Sequence, residues 1–278
     1  MKGALSKIRQ YVCNADLLVR RLVGSRAAQM HYEFDRLRRC GDREATTTIL
    51  GRPLRLSQAC YFEPMYRDIF EREIYKFEAV GSSPRIIDCG AHVGMASIYL
   101  GLRHKDARIT AIEADPRIAA IARANLDSFD LHQIEVVAAA VTNYDGVATF
   151  TGTGDLAGRI GSVQGLETQS QLTVPAVRLS PYLDEPVEFL KIDIEGAETD
   201  VLTSIAGQLH NVRLLFVEYH GFAEDAQTLS EFLGILSRSG FRYYVTSAYD
   251  FRRCPFKDQN CNVGMDLQLN VFCVREDS

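Results

Sequence analysis

Residues 85–126 read RIIDCGAHVGMASIYLGLRHKDARITAIEADPRIAAIARANL, and the rhythm of that stretch sets the fold class. Arg85 to Asp88 is a brief apolar run closing on an acid, set off by Gly81-Ser82-Ser83-Pro84, and it predicts a buried strand. A glycine-containing turn follows. Met95 to Arg103 then predicts a helix and Arg108 to Glu113 a second strand. Pro116 to Phe129 places Ile118, Ile121, Ala122 and Leu126 at helical spacing, with Asp115 as N-cap and Pro116 at the first helical position. Strands alternating with helices imply a mostly parallel sheet covered by helices on both faces, a Rossmann-like α/β architecture.

Further along, Ile134–Ala138 reads as a third strand and Val147–Phe150 as a short extra one, while the glycine-rich stretch 152–170 reads as a surface loop. Phe189–Asp193 predicts a strand, Ala197–Gln208 a helix, Leu214–Glu218 a strand and 225–239 a helix. The last two strands, Phe241–Thr246 and Leu267–Val274, have no helix between them and suit an antiparallel hairpin at one edge. Upstream, residues 1–80 form a mainly helical N-terminal extension, with helices near 4–40 and 63–80 and a hairpin in TTTILGRPLRL (46–56) around Gly51. The expected organisation is therefore an extension over 1–80, serving as cap, lid or homodimer interface, and a sheet domain over 81–278.

Composition narrows the function classes. Hydrophobic residues make up 46% of the 278 and charged residues 24%, enough for a sizeable core. A net charge of −5 argues against a nucleic-acid partner, and the short basic runs Arg20-Arg21 and Arg36–Arg39 read as solvated helix faces. The seven cysteines (13, 40, 60, 89, 254, 261, 273) are dispersed. Cys254 and Cys261 lack the partners of a zinc site, so free thiols in a reducing cytoplasm are the plainer reading. The N-terminus reads as an amphipathic helix rather than a signal peptide, and no stretch approaches a membrane span. A cytoplasmic protein with no membrane partner is expected.

In open α/β sheets ligands bind beyond the carboxyl ends of the strands, where the strand order reverses. The first strand leads into Asp88-Cys89-Gly90-Ala91-His92-Val93-Gly94. Gly90 permits a tight turn and close approach to a ligand, and Gly94 permits the next helix to pack closely on the sheet. The spacing lacks the middle glycine of the dinucleotide fingerprint, which disfavours a pyrophosphate. An acid before a single tight glycine better suits a cationic, amino-acid-bearing ligand. Glu113 ends the second strand, where a carboxylate can accept hydrogen bonds from both hydroxyls of an unphosphorylated ribose.

The segments IIDCGAHVGMASIYL (86–100) and ITAIEADPRIAAIARANL (109–126) resemble the first S-adenosylmethionine-binding motifs of the FkbM family of methyltransferases. FLKIDIEGAETDVL (189–202) resembles that family's signature around its fourth strand, VEYHGF (217–222) its next motif, and DIFEREIYKF (68–77) the segment before the glycine motif. These segments run in family order over about residues 60–276. The resemblance implies a class I methyltransferase fold with S-adenosylmethionine as donor and S-adenosylhomocysteine as product. It also implies O-methylation of a small hydroxylated acceptor, a sugar or natural product of secondary metabolism. Carried over, Asp88, Gly90, Ala91, His92 and Gly94 fall at the methionine-moiety loop, Glu113 and Ala114 at the ribose, and Ala139-Ala140 near the adenine. His92 stands where the family commonly has Asn, and Ser180 where it often has Asp. Two other readings use the same features: an NAD-dependent oxidoreductase, and a non-catalytic S-adenosylmethionine-binding protein.

Removing the acceptor's hydroxyl proton calls for a base at the strand ends, where Asp193, Glu195, Glu218 and His220 stand. Asp193 faces the methyl group or orients the acceptor, and also borders the cofactor. Glu195 is either catalytic or a cap of the following helix, and Lys191 reads as structural. His220 titrates near neutrality and is the natural general base. The catalytic set is Asp193, Glu195 and His220. Asp193, Glu218 and His220 would suit magnesium or manganese only loosely, and no metal is assigned.

Overall fold

The computed structural model describes residues 26–151, 159–160, 171–248 and 264–275, and the chain divides between Met65 and Tyr66 into two compact units. In the first, helix α1 (Arg26–Cys40) precedes an antiparallel hairpin of β1 (Ala45–Thr47) and β2 (Leu54–Leu56), as the spacing around Gly51 predicts. Phe34 and Leu37 of α1 are buried, as are Leu54, Leu56 and Phe62, and the Phe34 and Phe62 rings lie 6.0 Å apart. Arg36 pairs with Glu33 at 2.7 Å and Arg38 with Asp35 and Glu63 at 2.7 and 2.5 Å, so part of the basic run is met by acids of its own unit. Residues 4–25 of the expected first helix lie outside the described residues.

Helix α2 (Phe62–Tyr66) continues through a widened, π-type turn over Arg67–Glu71 and stops there, short of the expected 80. Glu73 takes a left-handed φ of 52°, and the chain leaves helical geometry. Tyr75 then lies with its ring 5.0 Å from that of Phe216, and Phe77 stacks at 5.3 Å on Phe189. Burying two aromatic rings on the sheet outweighs further helical turns. Residues 66–80, placed with the extension by sequence, thus pack within the second unit.

That unit is a seven-stranded sheet. The chain enters at its centre with β3 (Arg85–Cys89), crosses by α3 (Met95–Arg103) to β4 (Arg108–Glu113), and by α4 (Pro116–Ser128) to β5 (Glu135–Ala138). It returns to the other side of β3 as β10 (Val187–Ile192), then crosses by α5 (Glu198–Ile205) to β11 (Val212–Phe222). Helix α6 (Leu229–Arg238) leads to the edge strand β12 (Phe241–Ser247), and β13 (Met265–Arg275) inserts antiparallel between β12 and β11. The order is β12-β13-β11-β10-β3-β4-β5, with only β13 running against its neighbours. This is the class I methyltransferase fold, with its terminal hairpin. Strand order reverses between β3 and β10.

The central strands are near-continuous apolar runs because both faces are covered. Ile86, Ile87, Leu190 and Ile192 are fully buried, and Leu202, Ile205, Phe232 and Leu236 of α5 and α6 close one face. Asp115 caps α4 by accepting from Arg117 N at 2.8 Å, with Pro116 at the first position.

Several boundaries differ from expectation. The strand expected at 147–150 is β7 (Gly146–Thr151), and it belongs to a second, four-stranded sheet with β6 (Ala140–Thr142), β8 (Arg159–Ile160) and β9 (Gln171–Arg178). β9 was not foreseen, and β8 falls in the stretch read as loop; the rest of 152–170 lies outside the described residues. So do Cys254 and Cys261. Helix α5 gives way at Ala206 to a 3-10 turn reaching Asn211, and β11 runs four residues beyond Glu218, through His220 to Phe222. Among the described residues no helix is long and apolar enough to cross a membrane.

Candidate active site

After β3 the chain turns through Gly90 (φ 77°), His92 (φ 49°) and Gly94 (φ 86°). A Cβ on Gly90 would fall 1.7 Å from the carbonyl oxygen of Asp193, just past β10, so the close approach expected toward a ligand is first an approach between two strand ends. Gly90 and Ala91 both donate to the Ile112 carbonyl, at 2.9 and 3.0 Å, which ties the loop to β4. The position of a Cβ on Gly94 lies 3.5 Å from Ala122 of α4, so Gly94 admits a neighbouring helix rather than the sheet. Burial pushes the His92 imidazole down to about 4, which leaves it neutral at pH 7.

Glu113, at the end of β4, is 8% exposed. Its Oε2 accepts from His92 N at 2.8 Å and its Oε1 from Asp115 N at 3.0 Å. Burial lifts its carboxyl to about 7, against the opposing pull of those two N–H groups. Ala139 N donates to the Glu113 carbonyl at 2.9 Å, and Ala114 packs on the small cluster of Ala140, Ala148, Val174 and Ala176. The loop, Glu113, Ala114 and Ala139 therefore meet at one end of the sheet.

Asp88 stands differently. It is fully buried, with Oδ2 accepting from Ser97 Oγ at 2.7 Å and Oδ1 3.2 Å from Lys191 Nζ. Both oxygens of this acid, placed by the resemblance at the methionine-moiety loop, face groups of the protein, although Oδ1 accepts no hydrogen bond. Lys191 also reaches Asp193 Oδ2 at 3.2 Å and donates to the Gly90 carbonyl at 2.9 Å. Burial opposes its charge, but Asp193 and Asp88 more than restore it and raise its pKa. The structural reading of Lys191 holds: it locks the first strand's loop to the end of the fourth.

His220 is not at a strand end. It lies inside β11 opposite Gln268 of β13, with its side chain fully buried. Nδ1 is 2.8 Å from Glu198 Oε1. On the other side Nε2 has Gln268 Nε2 at 3.3 Å, Glu195 Oε2 at 3.5 Å and Glu218 Oε1 at 3.9 Å. Gln268 also donates to Glu218. Burial disfavours the imidazolium, yet Glu195, Glu198 and Glu218 together raise the pKa well above the usual histidine value. Burial in turn raises the carboxyls of Glu195 and Glu218.

Glu195 reaches His220 because its backbone is left-handed (φ 55°) and Gly196 follows at φ 103°. The N-cap position of α5 is Ala197, with no side-chain cap, and the acid at the helix start is Glu198, whose carboxylate accepts from the preceding turn, from Gly196 N at 3.0 and 3.1 Å and from Ile194 N at 3.3 Å. Glu198 and Gln268 were missed from sequence. An acid in the first turn of a helix reads as a dipole partner, and a strand glutamine carries no signal without its cross-strand register. One oxygen each from Asp193 and Glu195 and one His220 nitrogen lie within 4.8 Å of one another.

Residues 88–243 match the Methyltransferase FkbM domain. AMB antimetabolite synthetase AmbE of Pseudomonas aeruginosa is 28% identical, the match covering 66% of this chain and 11% of that protein, so the chain spans about a tenth of that relative. Methyltransferase sdnD of Sordaria araneosa is 26% identical over 51% of this chain and 68% of its own length. Among solved structures, Methyltransferase FkbM from Methylobacillus flagellatus KT aligns with a TM-score of 0.45 and 17% identity, covering 90% of this chain and 60% of that one.

Proposed function

From the premise that this chain belongs to the FkbM methyltransferase family, we propose that it is an S-adenosylmethionine-dependent O-methyltransferase acting on a hydroxyl of a small acceptor, a sugar or a secondary metabolite. Bound there, S-adenosylmethionine supplies a methyl group on a sulfonium sulfur and leaves as S-adenosylhomocysteine. The observation that carries the reading is Glu113. A carboxylate has about four lone-pair positions, and backbone N–H groups take one on each oxygen here. The remainder suit the two hydroxyls of a ribose. The Gly90–Gly94 loop borders the methionine moiety, Ala114 the ribose and Ala139 the adenine.

Five carboxylates (Asp88, Asp193, Glu195, Glu198 and Glu218) surround Lys191 and His220 at the reversal of strand order, and that excess of acid favours a cationic donor. Asp193 is the most open of the catalytic set, its side chain 25% exposed. It orients the acceptor hydroxyl, whose proton goes to a carboxylate of the cluster. His220, expected as the base, lies buried with Glu198 on Nδ1 and with Gln268, Glu195 and Glu218 around Nε2, and those acids raise its pKa. Its role becomes the positioning of Glu195 and Glu218.

Titration calorimetry with S-adenosylhomocysteine tests the reading, with NAD as control. Binding of the former in the micromolar range is expected, and its absence at high micromolar concentration ends the proposal. Mass spectrometry of products from a panel of hydroxylated acceptors tests the rest: a methyl found on nitrogen or carbon removes the O-methylation part. Glu195→Gln is expected to cut turnover by roughly 10²-fold or more while S-adenosylhomocysteine affinity changes little.

A further inference from the structure

We propose that Asp193, Glu195 and His220 bind one divalent cation, of the manganese or magnesium kind, beside the acceptor hydroxyl. The inference rests on the reading that this trio faces the acceptor.

Glu198 engages Nδ1 at 2.8 Å in the fully buried interior and sets the ring so that Nε2 faces Glu195. A carboxylate on the far nitrogen is the arrangement that orients histidine ligands of metal ions. On the near side the distances change character. Glu195 Oε2 is buried without a hydrogen-bond partner, and its nearest cationic neighbour is Nε2 at 3.5 Å, beyond a good hydrogen bond. Ligand atoms about 2.1 Å from an octahedral ion stand roughly 3 Å apart on a cis edge. The gap between Nε2 and Oε2 needs only a few tenths of an ångström to match. The Glu195 backbone is itself left-handed at φ 55°, a conformation costly for a residue with a Cβ, and that conformation accompanies the reach of this carboxylate toward β11.

Two carboxylate oxygens and one imidazole nitrogen are a hard, oxygen-rich set, which favours manganese or magnesium over zinc or copper. Asp193 brings its carboxylate to the mouth, so open positions on the ion face the acceptor. A bound cation answers the surplus of acid that Glu195, Glu198 and Glu218 make around this ring. The cation's charge beside the acceptor oxygen weakens the O–H bond. Glu218, held by Gln268, takes the proton while the new O–C bond forms and the C–S electron pair stays on sulfur.

The test uses the full chain, stripped with EDTA and dialysed. Free Mn²⁺ is followed by electron paramagnetic resonance during titration, and S-adenosylhomocysteine binding is measured on the same sample. One Mn²⁺ per chain is expected, weakened at least tenfold by Glu195→Gln and about 10- to 100-fold by Glu198→Gln, with circular dichroism confirming that both variants fold. Loss of methyl transfer on stripping and its return with Mn²⁺ or Mg²⁺ would accompany this. Failure to bind Mn²⁺ at millimolar concentration by protein that does bind S-adenosylhomocysteine overturns the cation site and leaves the methyltransferase reading standing. Binding that Glu195→Gln leaves unchanged overturns it as well. Binding of Mn²⁺ without S-adenosylhomocysteine supports the cation site and counts against the proposed function instead.

Discussion

Glu113 shows how one buried carboxyl couples cofactor affinity to pH. Burial lifts its pKa to about 7, above the ordinary range of a free carboxyl, so its contribution to stability is fully present at low pH and is lost as pH rises through about 7. Ribose hydroxyls that donate to it favour the ionised form and reverse that loss. Affinity for S-adenosylhomocysteine is therefore expected to climb by up to about tenfold per pH unit below 7 and to level off above. Calorimetry from pH 5.5 to 8.5 reads this directly, and Glu113→Gln should flatten the slope. Glu113→Ala should weaken binding by ~1–3 kcal/mol; an unaltered dissociation constant takes Glu113 out of the site. Lys191 is the opposite case, a buried cation between two acids. Lys191→Met leaves Asp88 and Asp193 facing each other unneutralised and should cost about 3–5 kcal/mol in urea denaturation.

At the level of elements, the site depends on where strands stop. β10 ends at Ile192, and the turn through Glu195 and Gly196 swings the next acid toward β11 instead of along the strand. Glu198, at the start of α5, holds that turn by its backbone N–H groups and holds His220 by its ring, so one carboxylate joins helix, turn and strand. The β3 loop meets the same turn from the other side. Gly90→Ala combines a left-handed φ with a backbone collision and should destabilise by roughly 2–5 kcal/mol. A thermal scan showing a near-native midpoint for this variant would mean that the two strand ends stand farther apart in solution.

For the whole molecule, protection should follow the sheet order. β3 and β10 are flanked on both sides and buried on both faces, whereas β12 is an edge with Tyr244 67% exposed and Tyr243 and Val245 also open. Hydrogen exchange is expected to be slowest in β3, β10 and the first half of β11 and fastest, within this sheet, in β12. Equal protection of β12 and β3 would indicate that the edge is covered, as by a second copy of the chain. Much of this architecture was legible in the sequence, because apolar periodicity, the Asp115-Pro116 helix start and the Gly90 turn are local signals carried within a few residues. The place of Glu113 at the end of β4 was legible for the same reason, since the acid closes a local apolar run. The helix expected to reach residue 80, the separate sheet holding β7 and β9, and the inner position of His220 were not, since long-range packing decides them. By itself the sequence determined the alternating α/β order, the acids at the strand ends and the family. Only the tertiary structure decided which acids meet. It turned Asp88 inward onto Lys191, swung Glu195 toward His220, and closed carboxylates around that ring, because charge partners are chosen by distance across strands and not by spacing along the chain.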